Sequence, residues 1–148
     1  MTEINKDNFL KELFIDEAKP ALKWFDIRWG NGNILDMNSV DPNDNKYISA
    51  SNGRTQSPTT GVWLYTDFAP VEPNVTYKVN QIHASASLAG LAWYDSEQQY
   101  ISGVNNTKLA AADGVIVAPE NAAYIRHSFR VDEGYNVDWK NTVSIVRR

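Results

Sequence analysis

Few residues in this chain are suited to redox, metal or nucleophilic chemistry. Its 148 residues include no cysteine and only two histidines, His83 and His127. The lack of cysteine excludes disulfides, thiolate nucleophiles and iron–sulfur centres, and two imidazoles cannot form a three-histidine metal site. No serine-hydrolase elbow, phosphate-binding loop or dinucleotide-binding glycine pattern occurs. The residue types therefore predict a protein without catalytic residues, bound metal or cofactor.

Two carboxylate patterns leave narrower alternatives open. The segment 41–45 begins like a calcium-binding loop, with oxygen ligands at alternate positions, but the glycine and the bidentate glutamate of an EF-hand are missing. We interpret it as a cluster of Asx turns, with a calcium site of another type as the alternative. Asp67 together with Asp95 or Glu97 would suit glycoside hydrolysis only if their separation in space were right. An enzyme is therefore the weakest of the functional hypotheses.

The two histidines lie in segments with strand-like alternation. His83 shares one predicted strand face with Ser85 and Ser87, and this polar face is a candidate ligand groove. His127 shares a face with the apolar Phe129. We therefore expect His127 to be buried and hydrogen-bonded.

The aromatic residues suggest a different chemistry. The chain has five tryptophans, seven tyrosines and five phenylalanines. The apolar face of a sugar ring stacks on an exposed aromatic ring, while nearby Asp, Asn and Arg side chains bind its hydroxyls. Core packing accounts for most of these rings, and we expect one or two to face a ligand. The candidate ligand-binding residues are Arg54, Trp63, Trp93, Tyr94, Asp95 and Arg126.

One helix and a series of short strands must position these side chains. Apolar residues at helical spacing predict an amphipathic helix over residues 5–21, which Pro20 ends or kinks. Its apolar stripe either packs on the domain's own sheet or pairs with copies of itself, and its candidate assembly residues are Phe9, Leu10, Leu13 and Phe14. After it, turn signals every 8 to 12 residues predict an all-β protein with eight to ten strands, among them strands over 34–37 and 137–146. These strands form one β-sandwich domain over residues 22–148.

Charge and hydropathy exclude other classes of partner. The net charge is -4 and the sequence pI about 5.1, which disfavours binding to the phosphates of nucleic acid. No apolar run approaches the ~20 residues that a bilayer span requires. The first residues lack a basic start followed by an apolar segment, so we expect synthesis in the cytoplasm without a secretory signal.

Three segments, in order, resemble one family. Residues 66–77 contain Pro70-Val71-Glu72-Pro73 followed by Tyr77, residues 91–103 contain a Trp-Tyr-Asp sequence and then Tyr-Ile-Ser-Gly, and residues 117–126 contain Pro-Glu-Asn-Ala-Ala-Tyr-Ile-Arg. This series is similar to the β-sandwich modules of bacteriophage tail proteins. The family often has glycine where this chain has Asn74, and asparagine also tolerates the left-handed conformation that such a turn needs.

The resemblance implies a carbohydrate-binding-module-like jelly roll within a tail fibre, tailspike or baseplate protein. Such a module would belong to the virion and bind a host surface glycan during adsorption, without enzymatic activity. The alternative is a structural domain that forms a homotrimer through residues 4–22 and attaches the fibre or spike to other tail proteins. The sequence features favour these two functions almost equally.

Overall fold

The computed structural model of the chain describes residues 32–80, 87–132 and 138–148. The chain divides into two compact units, Met1–Asn33 and Ile34–Arg148. The predicted N-terminal helix with its assembly residues, the predicted domain boundary at residue 21, and His83 all lie outside the described residues. The architecture below is that of the second unit.

Short antiparallel strands dominate the described residues, which confirms the predicted all-β class. In chain order, the ten strands are β1 (Tyr47–Ile48), β2 (Thr55–Gln56), β3 (Trp63–Tyr65), β4 (Ala69–Pro70), β5 (Thr76–Asn80), β6 (Gly90–Tyr94), β7 (Tyr100–Asn105), β8 (Val115–Val117), β9 (Tyr124–Arg130) and β10 (Ser144–Arg147). The helices are a 3-10 turn at Met37–Ser39, α1 (Asn106–Ala111) and α2 (Trp139–Thr142). Within the described residues, no helix is long and apolar enough to cross a bilayer.

The strands form three sheets. A large sheet has the order β3-β9-β6-β7, and β4 pairs with the other end of β9. A three-stranded sheet has the order β10-β5-β8, and β1 and β2 form a separate pair. All of these pairings are antiparallel. Strand β9 is central because it pairs with β3, β4 and β6.

One hydrophobic core joins the large sheet to the three-stranded sheet. Alternation along β9 places Ile125, His127 and Phe129 on one face, and all three are at most 1% exposed. Their cross-strand neighbours on β3 and β6 point the same way and are also buried. The core side chains from both sheets are Leu64, Leu91, Trp93, Ile125, Phe129, Tyr77, Val79, Ile116 and Ile145.

The opposite face of the large sheet, which we call the outer face, carries a second set of aromatic and basic residues. The cross-strand pairs Trp63 with Arg130 and Tyr94 with Tyr124 lie on it. Strand β1 covers part of it, because Ile48 packs against Ala92 and Tyr94. Trp63 and Tyr65 therefore share the outer face of β3, whereas Trp93 and Tyr94 point to opposite faces of β6.

Three segments differ from the sequence prediction. Residues 34–37 do not form a strand, because the carboxylate of Asp36 caps the 3-10 turn by accepting the N–H of Asn38. The predicted strand over 137–146 is instead helix α2 followed by β10. Helix α1 was not predicted, and the side chain of Asn105 caps it by accepting the N–H of Lys108. In both caps, the side-chain acceptor competes with strand pairing.

The turns follow their sequence signals more closely. Asn74 has φ 65°, which confirms the left-handed conformation expected there. In the β6–β7 hairpin, the Asp95 carboxylate accepts the N–H groups of Glu97 and Gln99 at 2.9 Å. These bonds close the turn and set the register that places Tyr94 opposite Tyr100.

Candidate functional site

A pocket of about 320 Å³ opens at the end of the outer face where β3 meets β9. Its walls come from β1, from the loop between β2 and β3, and from the residues just before β6. The pocket volume is at the lower end of the range for small-molecule sites. The lining residues are Tyr47, Ser57, Pro58, Thr59, Thr60, Trp63, Ser87, Leu88, Ala89 and Arg130.

The base of the pocket is apolar. The Tyr47 and Trp63 rings meet edge to face, with centroids 6.0 Å apart and planes at 60°. Trp63 is only 5% exposed, whereas Leu88 is 66% exposed, the largest value among the exposed large apolar side chains of the described residues. The backbone of Trp63 is held by its N–H, which donates to the Asn45 side-chain oxygen at 2.8 Å. The pocket therefore has a fixed aromatic base and one prominent aliphatic wall.

An ion pair forms the polar side of the pocket. Arg130 donates from Nε to Asp132 Oδ1 at 2.7 Å and from Nη2 to Oδ2 at 3.0 Å, which is a bidentate geometry. The Asp132 carboxylate also accepts the Val62 N–H at 3.0 Å. The Arg130 guanidinium, followed by the Val62 N–H, lowers the pKa of Asp132 well below its usual range. Both charges are therefore present at neutral pH.

Gly61 makes room for this ion pair. It has φ 80°, and a β-carbon at this position would overlap the Arg130 guanidinium. The glycine therefore serves both the turn before β3 and the close packing of Arg130. Because Trp63 and Arg130 are cross-strand partners, the pairing of β3 with β9 places the indole and the guanidinium side by side.

Hydroxyl groups complete the pocket. Ser57, Thr59 and Thr60 contribute from one loop, and Ser87 from the segment before β6. No carboxylate or imidazole of the described residues lines the pocket. An adjoining pocket of about 200 Å³ shares Ser87 and Leu88 and continues toward Asn105 and Lys108. The arrangement combines an apolar base with hydroxyls and a neutralised arginine.

The structure separates the six predicted ligand residues. Trp63 lines the pocket but exposes little of its ring, so the expected open stacking platform is not present there. Trp93 is 2% exposed and packs in the core, with its ring centroid 6.4 Å from that of Tyr77. Tyr94 is 3% exposed, and its hydroxyl donates to the Gly53 carbonyl at 2.6 Å. Burial leaves neither Trp93 nor Tyr94 a ring face for stacking on a ligand.

The remaining three predicted residues lie away from this pocket. The Asp95 carboxylate is engaged in the β6–β7 turn. Arg54 is exposed and follows Gly53, whose carbonyl accepts the Tyr94 hydroxyl. Arg126 is half-buried on the outer face, and its guanidinium lies over two aromatic rings. The neighbourhood of Tyr94 thus brings Arg126 and the backbone of Arg54 together.

Several pocket residues were missed by the sequence analysis. Arg130 and Leu88 belong to no sequence motif. Only the pairing of β3 with β9 shows that Arg130 lies beside Trp63, and only the pocket shows that Leu88 does. Ser87 was part of the predicted polar face and does line the pocket. The turn signal over residues 57–61 could have indicated the hydroxyl-bearing loop.

The loop of residues 41–45 is stabilised by side-chain hydrogen bonds. Asp41 accepts the N–H of Asn43 at 2.9 Å, and Asp44 accepts from the Lys46 ammonium at 3.0 Å. No group of three or more potential metal-ligating side chains occurs among the described residues. These contacts agree with the interpretation as Asx turns.

His127 is fully buried, as expected, but the expectation of a hydrogen bond to its ring is wrong. Neither ring nitrogen has a hydrogen-bond partner in the described part of the chain. Burial lowers the pKa of His127 to about 4. The imidazole is therefore neutral at physiological pH.

Comparison with known proteins finds no family model, curated protein or solved structure that is significantly similar to this chain. The pocket at Trp63 and the sequence resemblance are therefore the features of this chain that bear on its function.

Proposed function

We propose that the chain is a non-enzymatic carbohydrate-binding β-sandwich module, of jelly-roll type, in a bacteriophage tail fibre, tailspike or baseplate protein. In this role it binds a host surface glycan during adsorption and belongs to the virion. The observation that carries the proposal is the pocket at Trp63, where an apolar base meets hydroxyl groups and a bidentate ion pair.

The chemistry of this pocket suits a sugar ring. A sugar presents both C–H groups and hydroxyls, and the exposed Leu88 offers apolar contact for the C–H groups above the largely buried Tyr47–Trp63 pair. The hydroxyls of Thr59, Thr60 and Ser87 can both donate and accept hydrogen bonds. Because Asp132 neutralises Arg130, the pocket favours a neutral part of the glycan.

A binding role fits the pocket better than a catalytic one. Glycoside hydrolysis requires two carboxyl groups across the scissile bond. Among the described residues, no carboxylate lines the pocket, and Asp132 behind it is held by Arg130. Of the acids predicted as candidates for hydrolysis, Asp67 with Asp95 or Glu97, the Asp95 carboxylate is engaged in a turn, where it accepts the N–H groups of Glu97 and Gln99. These observations support binding without turnover.

The jelly-roll and phage assignments rest on other support. The two sheets share one core, as in a sandwich, and the strands are short and antiparallel. The resemblance to phage tail modules covers residues 34–129, which include the large sheet except for Arg130 at the end of β9. Its Asn74 turn and the hairpin after Tyr94 have the conformations that the motifs require.

Glycan-array screening tests the proposal with two matched variants. We expect the unmodified protein to bind a subset of bacterial surface glycans. Leu88→Glu introduces a charge into the pocket wall and should weaken that binding at least ~tenfold. Val117→Glu makes the same change at another exposed apolar residue, 58% exposed on the three-stranded sheet, and should leave binding unchanged.

Either of two results would overturn the proposal. One is the absence of binding to any glycan on an array that covers lipopolysaccharide, capsule and teichoic acid fragments. The other is an equal effect of both variants while their folds, checked by circular dichroism, remain intact.

Attachment to the tail is the second candidate function, and the apolar stripe within residues 5–21 favours it. In this case Phe9, Leu10, Leu13 and Phe14 form a trimer contact. Light scattering on the full chain should then give a trimer, and Leu10→Asp with Leu13→Asp should give a monomer. A monomer before substitution would contradict this function.

A further inference from the structure

A second feature of the outer face is an arginine held between aromatic rings. The Arg126 Cζ lies 5.3 Å from the centroid of the Tyr65 ring and 4.6 Å from that of the Phe68 ring. Phe68 is in turn fixed by edge-to-face contacts with Tyr94 at 4.8 Å and Tyr124 at 5.9 Å. We call Arg126 with Tyr65 and Phe68 the arginine clamp. The clamp orders the guanidinium without neutralising its charge.

Among the residues that the structure describes, the guanidinium of the clamp has no acidic partner. Within the described ranges, no carboxylate oxygen lies within 4.0 Å of it, whereas Arg130 and Arg147 are each paired with an acid. Its backbone partner is the Thr66 carbonyl, which accepts from Nε at 3.4 Å. Placing a half-buried cation without a counter-charge is unfavourable, and an anionic ligand would relieve this cost.

The acid that bonds to the clamp, Asp44, is engaged with Tyr65 and Lys46. Asp44 accepts the Tyr65 hydroxyl at 2.5 Å and pairs with the Lys46 ammonium at 3.0 Å. It therefore fixes one ring of the clamp while its charge is met by lysine. The Tyr65 ring is held in position over Arg126 by this bond.

A second arginine follows the loop that closes beside the clamp. The Tyr94 hydroxyl, next to Phe68, donates to the Gly53 carbonyl at 2.6 Å. A β-carbon at Gly53 would come within 2.6 Å of the Tyr100 ring, so the loop fits closely against the sheet. Arg54 is the next residue, is exposed, and forms no ion pair with the described residues. The loop therefore places the backbone of a second exposed arginine next to Tyr94, whose ring contacts Phe68 of the clamp.

The clamp and the pocket lie on the same face of strand β9. Arg126 and Arg130 are four residues apart, which corresponds to about 13 Å along a strand. Both residues belong to the outer face, because alternation gives positions 126 and 130 the same orientation. Strand β1 covers the outer face between them, where Ser128 is fully buried, so a ligand that contacts both must pass over β1 and must be an oligosaccharide rather than a single sugar ring.

We infer that the arginine clamp, assisted by Arg54, is an anion-binding subsite that recognises the carboxylate or phosphate group of an acidic glycan. This inference rests on the proposed function, and it defines the ligand class as an acidic oligosaccharide with a neutral part in the Trp63 pocket. Guanidinium is well suited to both anions because it donates parallel hydrogen bonds to two oxygens.

Nuclear magnetic resonance titration tests the subsite without a known glycan. Sodium acetate and inorganic phosphate serve as probes, sodium chloride controls for ionic strength, and the Nε–Hε signals of the arginines are followed. We expect saturable shifts at Arg126, and smaller ones at Arg54, with one or both probes. Arg147, which is exposed and paired with Glu72, is the internal reference. A response at Arg126 no larger than that at Arg147, or one equalled by chloride, overturns the inference.

The two probes distinguish the source of the anion. Tighter binding of acetate indicates a carboxylated sugar, and tighter binding of phosphate indicates a phosphorylated polymer. Arg126→Lys keeps the charge but removes the planar fork, so it should weaken the preferred probe about fivefold. Arg54→Gln changes an exposed side chain and should leave the fold intact while weakening binding about twofold. Unchanged affinity in both variants overturns the inference.

A glycan comparison separates this inference from the proposed function. An acidic hexasaccharide that contains uronic acid is chosen from the glycan classes that bind on the array. Its binding is compared with that of the same hexasaccharide after reduction of its carboxyl groups. We expect the acidic form to bind about tenfold more tightly, and this preference to be lost in Arg126→Lys. If both forms bind equally and Leu88→Glu abolishes both, the anion subsite is refuted and the carbohydrate-binding function stands. If no glycan on the array binds, both are refuted.

Discussion

Replacement of His127 by leucine should make the stability of the protein less sensitive to pH. His127 lies on the core face of β9 with both ring nitrogens unpartnered in the described part of the chain. Its pKa is about 4 in the folded state, compared with 6.5 for a free histidine. As the pH falls below 6.5 the unfolded chain takes up a proton that the folded protein does not, so acid favours unfolding.

The size of the stability change follows from the difference between the free and the folded pKa of His127. The interval between 6.5 and 4 corresponds to about 3.4 kcal/mol of stability, at 1.36 kcal/mol per pH unit. This contribution is fully present above pH 6.5 and fully lost below pH 4. Between pH 7.5 and pH 5.0 the expected loss in the free energy of unfolding is about 2 kcal/mol. Most carboxylates stay ionised over this range, so histidine titration dominates the change.

Urea unfolding at pH 7.5 and at pH 5.0 provides the assay. His127→Leu should abolish the loss of about 2 kcal/mol. At pH 7.5 the variant should be as stable as the original protein or more stable by about 1 kcal/mol, because leucine has a similar volume and leaves no buried polar atom unpaired. His83→Gln, which removes the other histidine, is the control and should keep the pH dependence. A loss that persists in His127→Leu would refute the reasoning.

Three further substitutions test how the sheets and turns are held. Trp93→Ala should lower the free energy of unfolding by about 3–5 kcal/mol in urea titrations, because the indole is 2% exposed in the core; a loss below ~1 kcal/mol would contradict this placement. Tyr94→Phe should cost about 1 kcal/mol in the same assay, since it removes the bond to the Gly53 carbonyl, and an unchanged denaturation midpoint would argue against that bond. Asn74→Gly should keep or raise the melting temperature, whereas Asn74→Ala should lower it, because φ is 65°; the reverse order would be inconsistent with a left-handed residue.

The sequence predicted the fold class because its signals are local. Alternating apolar residues, turn-forming residues and prolines determine where strands run and end, and these features do not depend on distant contacts. The left-handed conformation of Asn74 is predicted in this way, and the structure confirms it. Helix α1 is not predicted because a helix of six residues is too short for a repeating apolar pattern to be recognised. Only the structure shows that the Asn105 side chain caps it.

The composition of the candidate site depended on pairing between distant segments. Trp63 and Arg130 are 67 positions apart in the sequence, and only the register of β3 on β9 makes them neighbours. The pairing of β9 with β6 likewise determines the face on which each ring lies. Trp93 packs in the core, whereas Tyr94 packs on the outer face. Sequence alternation gives the two faces of a strand but does not show which face another sheet covers.

The amino-acid sequence by itself determined the all-β class, the lack of cysteine chemistry and the net negative charge of this protein. It also identified Arg54 and Arg126 as candidate ligand residues, but it did not show that the backbone of Arg54 and the side chain of Arg126 both lie near Tyr94. The tertiary structure decided which aromatic rings are accessible, joined Arg130 to the pocket and placed Arg126 between Tyr65 and Phe68. The physical reason is that exposure and charge pairing arise from long-range packing, whereas strands and turns arise from neighbouring residues.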